Sequence, residues 1–288
     1  AESSLPQGLK RLDERDQTDG VAIYSKILGQ FRKSTVELKL DAPVQIADQD
    51  VAILKADYRL GGTAERPLRT FVTLDAGGTL RLSQAYTEIN MMTGEGVTQV
   101  TKSEIPVSVP PESVTKLLLN SAGDRVIVGL RDGTVYRYNT REFAKPALAE
   151  TFKVTGPGVD LTAMVYLNGE NSLVVGGSDG SISIWFGVTD KAKKSTDGVA
   201  FVKVHGDFEK QPAAIDKIRV SQRTRMFTTT DVAGNVWIRH GTTERTLKQL
   251  PGKPGEKLIA TVLAPKDDAV LAIAADGKAL MWSIRIPH

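Results

Sequence analysis

The 288-residue sequence contains no cysteine. That removes disulfides, thiolate nucleophiles and cysteine-ligated zinc together. An oxidising compartment, where a stray thiol is a liability, suits such a chain. No run approaches the roughly 18 consecutive apolar residues that a membrane-spanning helix needs. Histidine occurs only at His205, His240 and His288, so a His-Glu-x-x-His zinc helix is excluded. Gly-x-x-x-x-Gly-Lys-Ser/Thr is missing as well, which leaves P-loop chemistry without support. Neither sign of charge dominates. The 37 basic residues are interleaved with 34 acidic ones for a net charge of +3, whereas an electrostatic nucleic-acid binder segregates its basic residues on one face. The chain opens on Ala1-Glu2-Ser3-Ser4. With neither an initiating methionine nor a signal peptide, the expectation is that either a leader was removed or the chain is a piece cut from a longer protein.

What the sequence does have is one hairpin written several times. Ser172-Leu173-Val174-Val175-Gly176-Gly177 runs into Ser178-Asp179-Gly180, and Ser181-Ile182-Ser183-Ile184-Trp185 follows. Apolar alternation on both sides of an Asp-Gly marks a β-hairpin, because a tight turn needs residues that tolerate positive φ. The pattern recurs around Asp132-Gly133, Gly234 and Asp276-Gly277, more weakly around Gly78, and one place out of step at Asp19-Gly20. The turn glycines stand 43 to 58 residues apart. A period near 50 built of hairpins is the signature of a β-propeller rather than a helical solenoid. The residues at 182, 184, 135, 80 and 281 lie two or four places after a turn glycine. Ile182, Ile184, Val135, Leu80 and Met281 are therefore expected on a buried face.

From residue 114 onward each unit reads alike. An apolar strand (Val114 to Asn120, Leu161 to Leu167, Ile215 to Val220, Leu258 to Ala264) leads into a polar turn. Those turns are Ser121-Ala122-Gly123-Asp124, Asn168-Gly169-Glu170-Asn171, Ser221-Gln222-Arg223-Thr224 and Pro265-Lys266-Asp267-Asp268. The hairpin comes next. Four strands make one blade. Before residue 114 the reading is looser. Val36, Leu38 and Leu40 alternate as a strand, residues 51–60 form another, and the proline-rich Ile105 to Pro111 connects blades. The expected fold is all-β: residues 1–288 as a single β-propeller of six, alternatively seven, four-stranded blades, with the best repeats over 114–285.

The order of inner strand, Asx-rich turn, apolar strand and Asp-Gly-x-φ-x-φ-Trp is similar to WD-repeat propellers. Trp185 and Trp282 stand at that family's closing tryptophan, and Tyr138 takes the place once. The family's Gly-His dipeptide is missing from every unit, so its Asp-His-Ser-Trp network is not expected. A further run, Pro67-Leu68-Arg69-Thr70-Phe71-Val72-Thr73-Leu74 followed by Gly78 to Ser83, resembles the periplasmic propeller insert of proteobacterial phosphate-type ABC transporter permease subunits. The resemblance implies a non-catalytic periplasmic domain of an inner-membrane protein. Its role would be docking or regulation of transport. Its partners would be other transporter subunits or a periplasmic solute-binding protein, with no nucleic acid, and the membrane is met only through segments outside this chain. A free-standing periplasmic scaffold and a propeller hydrolase are the alternatives.

No catalytic, cofactor-binding or metal-binding residue is expected, and no cofactor. The Asp-Gly pairs are needed by turn chemistry alone. Trp185, Trp237 and Trp282 are expected to pack between blades, where their large area is used. His205 and His240 lie in different units without a ligand spacing. Lys191, Lys193 and Lys194 read as a solvated loop. Basic residues are dispersed and no glycine-rich cradle precedes a helix, so no tight phosphate site is expected unless separate blades bring together residues such as Arg131, Arg219 and Arg223.

Overall fold

The computed structural model describes residues 45–46 and 51–284, apart from 64–66, 90, 94–95, 108, 193, 207 and 251–257. The chain divides into two compact units, Ala1–Val44 and Gln45–His288. All described residues belong to the second. The hairpin expected at Asp19-Gly20 and the strand at Val36 to Leu40 lie outside the described residues.

Among the described residues the elements are antiparallel strands in five sheets. Sheet one holds β1 (Ile53–Gly62), β2 (Pro67–Asp75), β3 (Leu80–Ile89) and β4 (Gly96–Ile105). A 3₁₀ turn, Pro111–Ser113, leads to sheet two: β5 (Val114–Leu119), β6 (Arg125–Leu130), β7 (Thr134–Asn139) and β8 (Ala147–Lys153). Sheet three holds β9 (Leu161–Tyr166), β10 (Ser172–Gly177), β11 (Ile182–Thr189) and β12 (Val199–His205). Sheet four holds β13 (Ile215–Val220), β14 (Met226–Asp231), β15 (Val236–His240) and β16 (Arg245–Leu250). Sheet five has three described strands, β17 (Leu258–Leu263), β18 (Ala269–Ala274) and β19 (Ala279–Ser283). Each sheet is a meander in chain order, the layout of a propeller blade.

The Asp-Gly turns are closed by their own side chains. Asp132 accepts from the Thr134 amide at 2.9 Å, Asp179 from Ser181 at 3.1 Å, Asp231 from Asn235 at 2.9 Å and Asp276 from Lys278 at 3.1 Å. The glycine after Asp179 has φ 78°, a conformation that costs an L-residue but not glycine. A Cβ there would also run into the Gln211 carbonyl.

Aligning the cross-strand pairs sets the sheets on one register. Val126 faces Tyr138, Leu173 faces Trp185, Phe227 faces Arg239 and Val270 faces Trp282. On that register a bulge falls at the same place in every first strand: Ile53/Lys55, Val114/Lys116, Leu161/Ala163, Ile215/Lys217 and Leu258/Ala260. Bulges bend a strand and raise its twist. In sheets two to five the residue opening the bulge is buried. Ile215 packs over Gly176 of the preceding sheet, where an added Cβ would lie 2.6 Å from its Cγ2.

The core lies between sheets. Val72, Leu74, Leu80 and Leu82 of sheet one meet Val114, Leu119, Val126 and Tyr138 of sheet two. Val135 of sheet two meets Leu161, Met164 and Leu173 of sheet three. Ile182 and Ile184 meet Ile215, Ile218 and Phe227 of sheet four. Met226 and Ile238 meet Leu263 and Val270 of sheet five. Four of the five side chains expected inside are buried, but Met281 is 69 % exposed. It occupies the face that in sheet three is covered by the following sheet. Sheet five is last in chain order and no described sheet covers that face, while Leu280 and Trp282 on the other face pack inward.

Candidate functional site

The first strands of neighbouring sheets pack against one another, so their ends converge. The turns that follow them bring one position from three successive sheets to a common mouth. On the shared register Ser121, Asn168 and Gln222 are the same residue of sheets two, three and four. All three line a cleft of about 600 Å³, with Asp57 and Arg59 of β1, Leu118, Val165 and Val220 forming other walls.

The charges in this cleft are satisfied by each other and by the backbone. Arg59 Nη1 donates to Asp57 Oδ1 at 2.8 Å, and Asp57 Oδ2 accepts from the Leu119 amide at 2.8 Å. Glu170 has φ 52°, and its carboxylate accepts from the Ser121 amide at 2.6 Å while facing Arg59 Nε at 3.8 Å. These contacts tie sheets one, two and three together at the mouth. Tyr166 is buried in the wall and its hydroxyl has no partner among the described residues. Burial pushes that phenol far above its usual range.

One alternate residue deeper, about 6.6–6.8 Å along a strand, the register sets Lys55, Lys116 and Lys217 at one level of three first strands, with alanines (Ala163, Ala260) in the other two. Lys217 Nζ contacts Asp216 Oδ2 at 2.6 Å. Lys116 is half-buried. Burial lowers its pKa, and Lys55, Arg219 and Lys217 lower it further, against Asp216.

The other sequence candidates are scattered. His205 Nδ1 pairs with Glu244 Oε1 at 2.7 Å and His240 Nδ1 with Thr243 Oγ1 at 3.0 Å. Among the described residues no three His, Cys, Asp or Glu gather as a metal set. Trp185 packs on Phe152 of the preceding sheet, ring centroids 5.4 Å apart. Trp282 packs with Met226, Ile238 and Leu250 of sheet four. Trp237 is buried beside Arg239, 4.8 Å from its ring centroid. The loop bearing Lys191 and Lys194 is organised by Asp190, which accepts from the Ala192, Lys194 and Ser195 amides; Lys193 lies outside the described residues. Arg131 sits in the β6–β7 turn and Arg223 in the β13–β14 turn, at opposite ends of their sheets. Of that trio only Arg219 acts on the lysine level, from one alternate residue nearer the cleft. Sequence reasoning missed both the convergent turn position and the lysine level. The signal was available as a shared offset from each inner strand's first residue.

Two buried arginines are structural. Arg137 ties sheet two to sheet three through Asp197, Glu150 and the Val199 carbonyl. Burial alone would lower its pKa, but the two carboxylates outweigh that and raise it. Arg239 is fully buried, and among the described residues no carboxylate pairs with it, Glu209 acting on it only through its charge. It donates to Thr229 Oγ1 at 3.1 Å and Thr246 Oγ1 at 3.2 Å, and its Nη2 has no partner among the described residues.

No family model and no curated protein matches the chain. Solved structures do. The β-propeller domain of Cps50 (Swd1) from Myceliophteria thermophila aligns with TM-score 0.53 and 14 % identity over 75 % of this chain and 67 % of that one. The computationally designed Ika8 protein aligns with TM-score 0.49 and 17 % identity over 78 % of this chain and 58 % of that one. At such identities the likeness to the Cps50 domain fixes architecture alone. The chain has a β-propeller fold, and neither ligand nor activity follows from that.

Proposed function

We propose that this propeller is a non-catalytic protein-interaction domain that docks partners on the face where the first-strand turns converge. The observation that carries the reading is the mouth itself. Three equivalent turn residues, Ser121, Asn168 and Gln222, surround a cleft whose charged groups are already engaged, which suits contact with another surface better than turnover. The finer reading is the periplasmic part of a phosphate-type ABC transporter permease, in docking or regulation of transport. The sequence run from Pro67 to Ser83 and the absence of cysteine support it. The test is capture of the purified cognate solute-binding protein and of the other transporter subunits by the chain. Gln222→Arg, which fills the mouth, is expected to abolish capture, and Lys210→Glu at the Asp-Gly end is expected to leave it intact. Equal capture by both variants would move docking off this face, and no capture by any form would remove the transporter reading.

A further inference from the structure

The lysine level beneath the cleft is assembled from residues far apart in sequence. Lys55, Lys116 and Lys217 hold the same register position in the first strands of sheets one, two and four. Two residues further along, Asp57 and Leu118 line the cleft, so the level lies just under its floor. Arg219 is the second residue after Lys217 on β13. Four cations thus act on one region, and the carboxylate beside them, Asp216, is taken up by Lys217 at 2.6 Å. Among the described residues neither Lys55 nor Lys116 makes an ion pair. Both are half-buried rather than extended into bulk water.

Uncompensated like charges held together destabilise a fold unless something neutralises them. We infer that the lysine level under the cleft is an anion site, taking an oxyanion or carboxylate group that enters through the mouth. Three ammonium groups on separate strands share one register level, and a set of ammonium donors is what a multiply accepting anion requires. Lysines act as point charges without the planar fork of arginine, so the site is a weak one, in keeping with the expectation that no tight phosphate site exists. Such a group is either a free inorganic anion or the acidic side chain of a docked partner. The inference stands whether or not the docking reading does.

The experiment uses the full chain at constant ionic strength, with chloride replaced stepwise by sulfate or phosphate, and separately with acetyl-Gly-Glu-Gly-amide against its Gln counterpart. Melting midpoint and the Lys116 side-chain pKa by NMR are read together. A saturable rise of the midpoint, with the Lys116 pKa moving back up, is expected. Phosphate and sulfate acting alone identify a free anion, and the Glu peptide acting alone identifies a partner side chain. Lys116→Gln is expected to raise the midpoint in chloride, by relieving repulsion, and to weaken the anion response about tenfold, as loss of one charge-assisted contact does. Lys55→Gln provides a second variant should the first fold poorly. An unsaturable response, a response unchanged in both variants, or no difference between Glu and Gln peptides together with none between phosphate and chloride would overturn the site.

Discussion

At the residue scale the register exposes an exception. Five residues after the turn glycine come Tyr138, Trp185, Arg239 and Trp282, each opposite a buried apolar residue of the strand before. Two of these aromatics are legible in the sequence as closing tryptophans, but counting alone does not show that an arginine in the third place is swallowed whole. Burial pulls the Arg239 guanidinium down to about 10, so it remains charged at neutral pH. It has threonine hydroxyls and an indole face where Arg137 has two carboxylates. A buried charge without a counter-ion is a liability that an apolar side chain of similar volume relieves. Arg239→Met should therefore stabilise the chain by about 1–4 kcal/mol in urea denaturation, whereas Asp197→Ala, which leaves Arg137 with Glu150 as its one carboxylate, should cost about 1.5–3 kcal/mol. A second residue-scale expectation concerns alkali. Burial pushes the Tyr138 phenol up to about 12 from an ordinary value of 10.0, and its hydroxyl donates to the Pro106 carbonyl at 3.2 Å. Between those values the unfolded chain releases the proton and the folded chain keeps it. The contribution is complete below pH 10 and is lost as pH rises toward 12. Phenolate absorbance should show Tyr138 and Tyr166 titrating above the ordinary tyrosine value, and Tyr138→Phe should flatten the stability loss over that window.

At the scale of elements the hairpins were legible, and for a local reason. An Asp-Gly pair sets turn type, and alternation of period two sets the face, so β6–β7, β10–β11 and β18–β19 follow from a dozen residues each. Which face is covered depends on the neighbouring sheet, and that is why Ile184 and Met281 share a sequence position and differ in burial, 2 % against 69 %. Ile184→Ala should cost roughly 2–5 kcal/mol, while Met281→Ala should stay within about 0.5 kcal/mol of the parent. Equal losses on thermal melting would contradict an open face on sheet five. The bulges that open the first strands were not legible, because they carry no residue signature of their own. Their consequence is specific. Ile215 projects onto Gly176, and a methyl placed there meets its Cγ2 at 2.6 Å. Gly176→Ala should cost about 1–3 kcal/mol by overpacking, and the double variant with Ile215→Val should recover part of the loss.

At the scale of the molecule, each sheet is joined to the previous one by a buried apolar layer and by a few polar ties near the turns. The cleft and the lysine level are marked in the sequence only by a shared offset from each inner strand's first residue, because their members come from separate sheets and meet only once the first strands are aligned. The tie between sheets four and five is the sharpest test of this sequential build. Asp267 has φ 59° and is buried. Its Oδ2 accepts from Ser221 Oγ at 2.7 Å and from Thr224 Oγ1 at 2.8 Å, both in the turn of sheet four. Glu170 holds the same register position in sheet three, also at positive φ, and likewise reaches back to the turn of the sheet before. The device therefore repeats. Glycine tolerates this backbone conformation without strain, so Asp267→Gly removes the carboxylate while sparing the turn. Hydrogen bonds to a charged acceptor are worth about 1.5–3 kcal/mol, and that loss should fall on sheet five alone. Native-state hydrogen exchange should then show the amides of β17 and β18 opening more readily by that amount, with β6 and β10 unchanged. Uniform acceleration across all sheets would mean that the propeller opens as one cooperative unit and that the tie serves the whole ring of contacts rather than its own interface.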